Sequence, residues 1–307
     1  MGIGQILFEW LSPHLKEIGE NKWGLIPGEY FPSYFLLEYF HRPLIASLVV
    51  AIVAGFLGTF LLIRNLALIG DGLAHVSFGA IAIGLIFGGI GPLWYALIFC
   101  TAAAILIDEL QARGILDGDA AIAIFMTGML GLGLVIMRIW GGTASRFVDG
   151  YLYGDLLLVN PQSFDIIVTI CVIGYFSMLF LYHSLLSISI DPIAAKVQGL
   201  PVRLVRLYFS ILTAAIVVSM VQIVGALLVT ALLVAPAATA QLIGKSFRSC
   251  VILSQIIGVI TVIIGLYFSA EYDTGSGSMI ALVATSIFVL VATLKLLKNS
   301  MFKPNEN

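Results

Sequence analysis

Long apolar runs separated by short polar breaks dominate the chain from residue 44 onward. A helix needs about 20 apolar residues to cross the hydrocarbon core of a bilayer. Runs of that kind lie at roughly 44–63, 66–89, 92–110, 119–140, 163–188, 203–222, 225–244, 250–269 and 278–297. The pattern predicts an all-α, polytopic membrane protein with about nine transmembrane helices, or eight if one division fails. That division falls at Gln222-Ile223-Val224-Gly225. As a single helix, residues 203–244 would reach about 63 Å at about 1.5 Å per residue, twice a bilayer. Two spans joined by a tight turn is the better reading. Residues 1–43 are too polar and too interrupted by Gly, Pro and Glu to span. Their FEWLSPHL and YFLLEYFHR stretches pair aromatic and apolar residues with charges, as segments lying in the membrane interface do. Three parts follow: an interfacial segment 1–41, a transmembrane domain 42–300 and a cytoplasmic tail 301–307. The first residues lack the basic region and cleavage site of a signal peptide, so the uncleaved spans themselves carry membrane entry. The stretch 141–162 is the largest interruption between spans and should be irregular or hold a short helix outside.

Composition agrees. Of 307 residues, 60% are hydrophobic and 10% charged, and mean hydropathy is +1.08; soluble domains run at about 45–50% and about 25%. An ordinary soluble enzyme, a disulfide scaffold and a disordered tail are excluded, and lipid is the implied surrounding. A net charge of −2 argues against a nucleic-acid partner. Cys100, Cys171 and Cys250 are far apart and lie in or beside apolar runs, which makes them small core hydrophobes rather than thiolate ligands. Lys and Arg mark cytoplasmic loops. Lys196, Arg203 and Arg206, then Lys245 and Arg248, then Lys295, Lys298 and Lys303 set three inner regions, and alternation adds Arg64 and Arg113. The other side holds Lys16, Lys22, Arg42, Arg138 and Arg146. The N-terminus is then outside and the C-terminus inside.

Against so few charges, the second span stands out. It reads LALIGDGLAHVSFGAIAIGLIFGG, and Asp71 and His75 stand one turn apart on one face. Glycines at 70, 72, 79 and 84 thin its surface and allow close helix approach. An Asp in a span costs about 2.5–3.5 kcal/mol on insertion scales. Three uses would justify that cost: a divalent-metal site built from a carboxylate oxygen and an imidazole nitrogen, an Asp–His hydrogen bond that fixes packing, or a proton relay. Spacing alone leaves all three open. Elsewhere, Asp108, Glu109, Asp117 and Asp119 read as solvated helix ends, and Glu271 and Asp273 as part of a solvated turn. His183 reads as a packing histidine, and His14 and His41 show no evident partner. Gly244-Lys245-Ser246 imitates a phosphate loop, but Thr239 stands where that loop needs its first Gly and no strand precedes it. No hydrolase or dinucleotide motif occurs, and His75 with Ser77 has the wrong spacing for a nucleophile and base on one helix face. Work against a gradient would need an ion or another subunit for energy.

The segment between the fifth and sixth spans, SISIDPIAAKVQGLPVRLVRLYF, holds a short helix-capable insert. Asp191 can cap it, Pro192 suits a first helical position and Gly199 suits a stop. Ala194, Ala195 and Lys196 give a contact surface for a cytoplasmic partner, unless the segment is an ordinary surface loop.

Four stretches then converge: LLIRNLALIGDGLAHVSFGAIAIG at 61–84, YLYGDLLLVN at 151–160, DPIAAKVQGLPVRLVR at 191–206 and VQIVGALLVTALLVAPAATAQLIG at 221–244. In these the chain resembles the permease subunits of bacterial ABC importers for manganese, zinc and iron. The segment 1–41 is longer than such permeases lead one to expect. The resemblance implies that Asp71 and His75 face the translocation path and engage the metal. It also implies that Asp191 to Leu200 form the coupling helix seated on an ATPase, and that Gly225 to Ala240, with Pro236, form the small-residue helix around the path. It further implies a homodimer in the bacterial inner membrane, two cytoplasmic ATPase subunits and an extracytoplasmic metal-binding protein. No cofactor is held permanently; the divalent metal is cargo. A carboxylate and a single imidazole without thiolate lean toward Mn2+, with Zn2+ as the alternative. The rival class is an ion-coupled secondary transporter working alone, with Asp71 and His75 as its ion site.

Overall fold

The computed structural model describes residues 2–21, 28–88, 91–140, 161–226 and 229–302. The YLYGDLLLVN stretch, the interruption 141–160, Lys22, Arg146 and the last five residues lie outside them. Among the described residues the chain is helical throughout. A 19-residue α1 (Ile3–Asn21) and a single turn, α2 (Ser33–Leu36), precede the bundle. The bundle runs α3 (Glu38–Ile63), α4 (Ile69–Phe87), α5 (Pro92–Ala112), α6 (Gly118–Trp140), α7 (Pro161–Phe180), α8 (Tyr182–Ile190), α9 (Pro192–Val197), α10 (Val202–Val224), α11 (Val229–Ile243), α12 (Phe247–Tyr272) and α13 (Ser276–Phe302). Eight of these are long and apolar enough to cross a membrane: α3 to α7, α10, α12 and α13.

The ninth expected span, α11, is apolar but only 15 residues long. At about 1.5 Å per residue it covers about 22 Å, short of a hydrocarbon core of about 30 Å. The division at 222–225 is where the chain breaks. Gly225 takes φ +87° and ψ 156°, a region essentially open to glycine alone, and ends α10 there. Two other boundaries differ from the pattern. The first span begins at Glu38, six residues before the apolar run, because residues 38–43 complete its first turns against α1 and α2. The expected span 163–188 bends at Leu181, where ψ opens to 6°, although hydrogen bonds on both sides of the bend keep the rod nearly continuous.

Burial separates a centre from a periphery. In their membrane-length windows α3 and α4 are 83% and 72% buried, whereas α6 and α13 are each 17% buried. α3 packs against α7, α10, α11 and α12, and α4 packs against α5, α6, α10 and α11. Lipid tails are as apolar as leucine, so close approach rather than water exclusion holds such helices together. Gly58 of α3 lies so near the Leu233 carbonyl of α11 that a Cβ there would collide with it. Gly79 of α4 meets the Met129 carbonyl of α6 in the same way. Aromatic rings fill the α9 end of the centre: Phe60 meets Phe247 at 5.0 Å, Tyr182 at 6.0 Å and Phe209 at 6.4 Å between ring centroids.

At the opposite end, α1 crosses the ends of α7 and α3. Phe8 packs edge-on against Phe164, Arg42 lies over the Phe8 ring, and the Gln5 amide donates to Asp165. His41, expected to be without a partner, is fully buried and held on both sides. Its Nε2 bonds the Phe35 carbonyl at 2.8 Å, which makes Nε2 the donor, and Nδ1 then accepts from the Ser12 hydroxyl at 2.7 Å. His14 bonds the Trp10 carbonyl. Glu271, expected in a solvated turn, instead accepts the backbone N–H groups of Glu29, Tyr30 and Phe31. Those hydrogen bonds come from partners some 240 residues away, which no local pattern encodes. Cys100 and Cys171 are core residues as expected, Cys250 is partly buried, and all three are free.

Candidate functional site

Three glycines show how α4 is oriented. A Cβ on Gly70 would meet Leu233 and Val229 of α11, and one on Gly72 would meet Ile122 of α6. Gly84 meets Tyr95 of α5. With about 100° between successive residues, Asp71 and His75 fall in the arc between α11 and α6, away from α5. Both are half-buried. No hydrogen bond or ion pair joins them to each other or to another described residue. His75 Nδ1 is enclosed without a partner, and so is Thr230 Oγ1 on the neighbouring first turn of α11. The hydrogen bond that a packing role would need is therefore not formed. An enclosed imidazole nitrogen with no acceptor or donor is costly, by about 1–3 kcal/mol, and is free to take a ligand. Among the described residues no group of three or more His, Cys, Asp and Glu side chains could hold a metal ion. One chain thus offers two candidate ligands on α4. Gly225 ends α10, and Pro236 is buried within α11, the helix against which Gly70 packs.

The second candidate region is α9. The Ile193 and Ala194 amides donate to Asp191 Oδ1 at 2.8 and 3.0 Å, a full N-terminal cap, and Pro192 takes the first helical position. Gly199, at φ +83°, stops the helix, and the Leu200 amide returns to the Ala195 carbonyl. The contact surface differs from the one expected of Ala194, Ala195 and Lys196. Ala195 is buried against the bundle and Ala194 half-buried, because a six-residue helix lying on a bundle must turn one face inward. The outward face is Ile193, 76% exposed, and Val197, 84% exposed, with Lys196 beside them. An open cavity of about 530 Å3 runs from Lys196 and Leu200 to Glu109, Arg113, Arg203 and Arg206.

The charges under α9 are not the solvated ends that their position suggested. Asp108 is 7% exposed and accepts from Arg206 Nε at 2.8 Å. Glu109 pairs with Arg113 at 2.8 Å and lies 3.7 Å from Arg203 and 3.9 Å from Arg206. Arg64, just past the end of α3, stacks 4.7 Å from the Phe209 ring centroid. Burial pulls the Arg64 pKa down from its usual value, Asp108 opposes the shift and Arg206 adds to it. Helical spacing alone could have paired Glu109 with Arg113; nothing in the sequence pairs Asp108 with Arg206, 98 residues away. Asp117, Asp119, Asp273 and His183 are exposed. Ser246 caps α12 by accepting the Ser249 amide, so the phosphate-loop look-alike is a helix start.

The described residues thus form a multi-pass helical bundle with a polar pair on one inner helix and a capped short helix at one end. The chain matches the ABC 3 transport family over residues 36–295 and belongs to it. It is 32% identical over 255 residues to the manganese transport system membrane protein MntC of Listeria monocytogenes, covering 82% of this chain and 89% of that one. It is 29% identical to the high-affinity zinc uptake system membrane protein ZnuB of Haemophilus influenzae, covering 83% and 97%. Among solved structures it superposes on a chain of PsaBC from Streptococcus pneumoniae, determined in complex with Fab, with a TM-score of 0.75 at 29% identity over 84% of this chain and 92% of that one.

Proposed function

We propose that this chain is the membrane-spanning permease subunit of an ATP-driven importer of divalent metal ions in the bacterial inner membrane, with Mn2+ as the first cargo. The observation that carries the reading is the Asp71–His75 pair: a carboxylate and an imidazole on an inner helix, bonded to nothing among the described residues, beside the break that starts α11. An oxygen and a nitrogen donor suit first-row divalent ions, and octahedral, oxygen-rich sites suit Mn2+. Two ligands from one chain leave such a shell incomplete. A second copy related by a two-fold axis supplies the matching pair, so the path lies at the centre of a homodimer, beside the helices that carry Gly225 and Pro236. The manganese system of Listeria supports the choice of ion.

In this mechanism an extracytoplasmic binding protein hands the hydrated ion to the outer mouth. Asp71 and His75 replace part of its water shell, holding it loosely enough to let go, as conduction requires. At the cytoplasmic end, α9 presents Ile193 and Val197 to the groove of an ATPase, with Asp191 through Leu200 as the coupling segment. Closure of the two ATPases on ATP pushes on α9 and tilts the bundles. Positive residues at the α9 end support a cytoplasmic position for that end, which puts the N-terminus outside. Zinc is the second reading, favoured by the likeness to ZnuB.

The test is metal uptake in cells carrying Asp71→Ala or His75→Ala. Both variants should lose manganese-dependent growth while still co-purifying with the ATPase. Full uptake in either one overturns the site. Metal bound by the purified complex, weighed by competition between Mn2+ and Zn2+, decides the ion.

A further inference from the structure

The charged group under α9 joins three parts of the chain that the proposed mechanism needs to move together. Arg206 and Phe209 occupy the first two turns of α10, which follows α9 after one short turn. Arg206 holds Asp108 of α5 at 2.8 Å, and Phe209 carries the Arg64 guanidinium on its face at 4.7 Å. Arg64 begins the turn between α3 and α4, and Asp71 lies seven residues further on. One end of α10 therefore grips both the end of α5 and the turn that starts the helix of the Asp71–His75 pair. Phe209 also packs on Phe60 in the aromatic centre, which anchors the grip.

The joint is tight in its bonds and loose in its packing. A charge pair or a guanidinium over a ring, partly removed from water, holds its geometry better than an exposed contact. Yet the same residues border a cavity of about 260 Å3, lined by Arg64, Asn65, Asp108, Ser189, Pro192 and Arg206. The space lies between the first residue of α9 and the α3–α4 turn, so α9 has room to move on that side, while Ala195 stays seated on the bundle.

We propose that Asp108 and Arg206, with Arg64, are positioning residues that transmit displacement of α9 to the start of α4. The proposal rests on the permease reading above. It predicts that loosening the grip separates ATP hydrolysis from metal movement without removing either site.

The experiment uses the permease reconstituted in liposomes with its cognate ATPase and binding protein, and reads Mn2+ moved per ATP hydrolysed. Asp108→Asn and Arg206→Lys should assemble and hydrolyse ATP but move at least about fivefold less Mn2+ per ATP, the lower range of ordinary coupling between sites. The exchange Asp108→Arg with Arg206→Asp should recover most of that ratio. Single variants that keep the parent ratio overturn the proposal. An assembled exchange variant no better than the singles overturns it too, as does loss of assembly in all three, which makes the group a folding clamp only. If the unaltered complex hydrolyses ATP and moves neither Mn2+ nor Zn2+, the permease reading fails instead.

Discussion

Two polar groups inside this bundle differ in what they are bonded to. Under α9, Asp108, Arg206, Glu109 and Arg113 satisfy one another at 2.8 Å contacts, and Arg64 finds an aromatic face. On α4, Asp71 and His75 stand a turn apart with no bond between them, and an enclosed imidazole nitrogen goes unmet. Buried polar atoms in native proteins are overwhelmingly paired. On the function proposed above, the fully paired group works mechanically within the chain, and the group left unpaired takes its partner from outside it. The same residue types thus serve opposite ends according to whether the fold closes their valences.

The contrast can be broken in several places. The largest effect is expected at α4: Asp71→Ala should abolish metal uptake while the melting temperature of the detergent-solubilised protein stays level or rises, since an unpaired carboxylate is removed. A clear fall in melting temperature would mean that Asp71 is structural and would erase the distinction. Next comes the paired group. Arg206→Met strands Asp108 with Arg64 alone, and breaking a buried pair by removing one partner costs about 3 kcal/mol at the lower end of its range. The melting midpoint should drop by several degrees, and no change would show the pair to be idle. Asp191→Ala removes the cap of α9 at about 1 kcal/mol. Hydrogen exchange of residues 192–197 should quicken there, whereas Asp191→Asn should stay close to the parent. Smallest of all, His183→Ala should leave uptake unchanged and stability within about 0.5 kcal/mol, as for an exposed side chain; a loss of uptake would place a second imidazole in the path.

Much of the architecture was legible because lipid imposes one period and one length. The division near Gly225, the capped insert at 191–199 and the core cysteines all follow from local rules. Asp71 and His75 stood out because charge is scarce within spans. What stayed hidden was long-range. Asp108 looked like a solvated end because its partner comes from α10, and His41 looked solitary because Ser12 arrives from another helix. Ala195 looked like contact surface because a six-residue helix is too short to show which face turns inward. In each case the missing fact was which helices become neighbours.

The grip of Glu271 on the amides of residues 29–31 has a consequence for synthesis. The acceptor lies 240 to 242 residues after the donors. At about 5–20 residues per second, a ribosome reaches it roughly 12 to 50 seconds after the donors are made. Through that interval the amides of residues 29–31 wait for this acceptor while most of the bundle is inserted. Residues 29–31 are thus joined to Glu271 late, after α1 has met Asp165 and His41, and that closure marks a chain whose helices are nearly all in place.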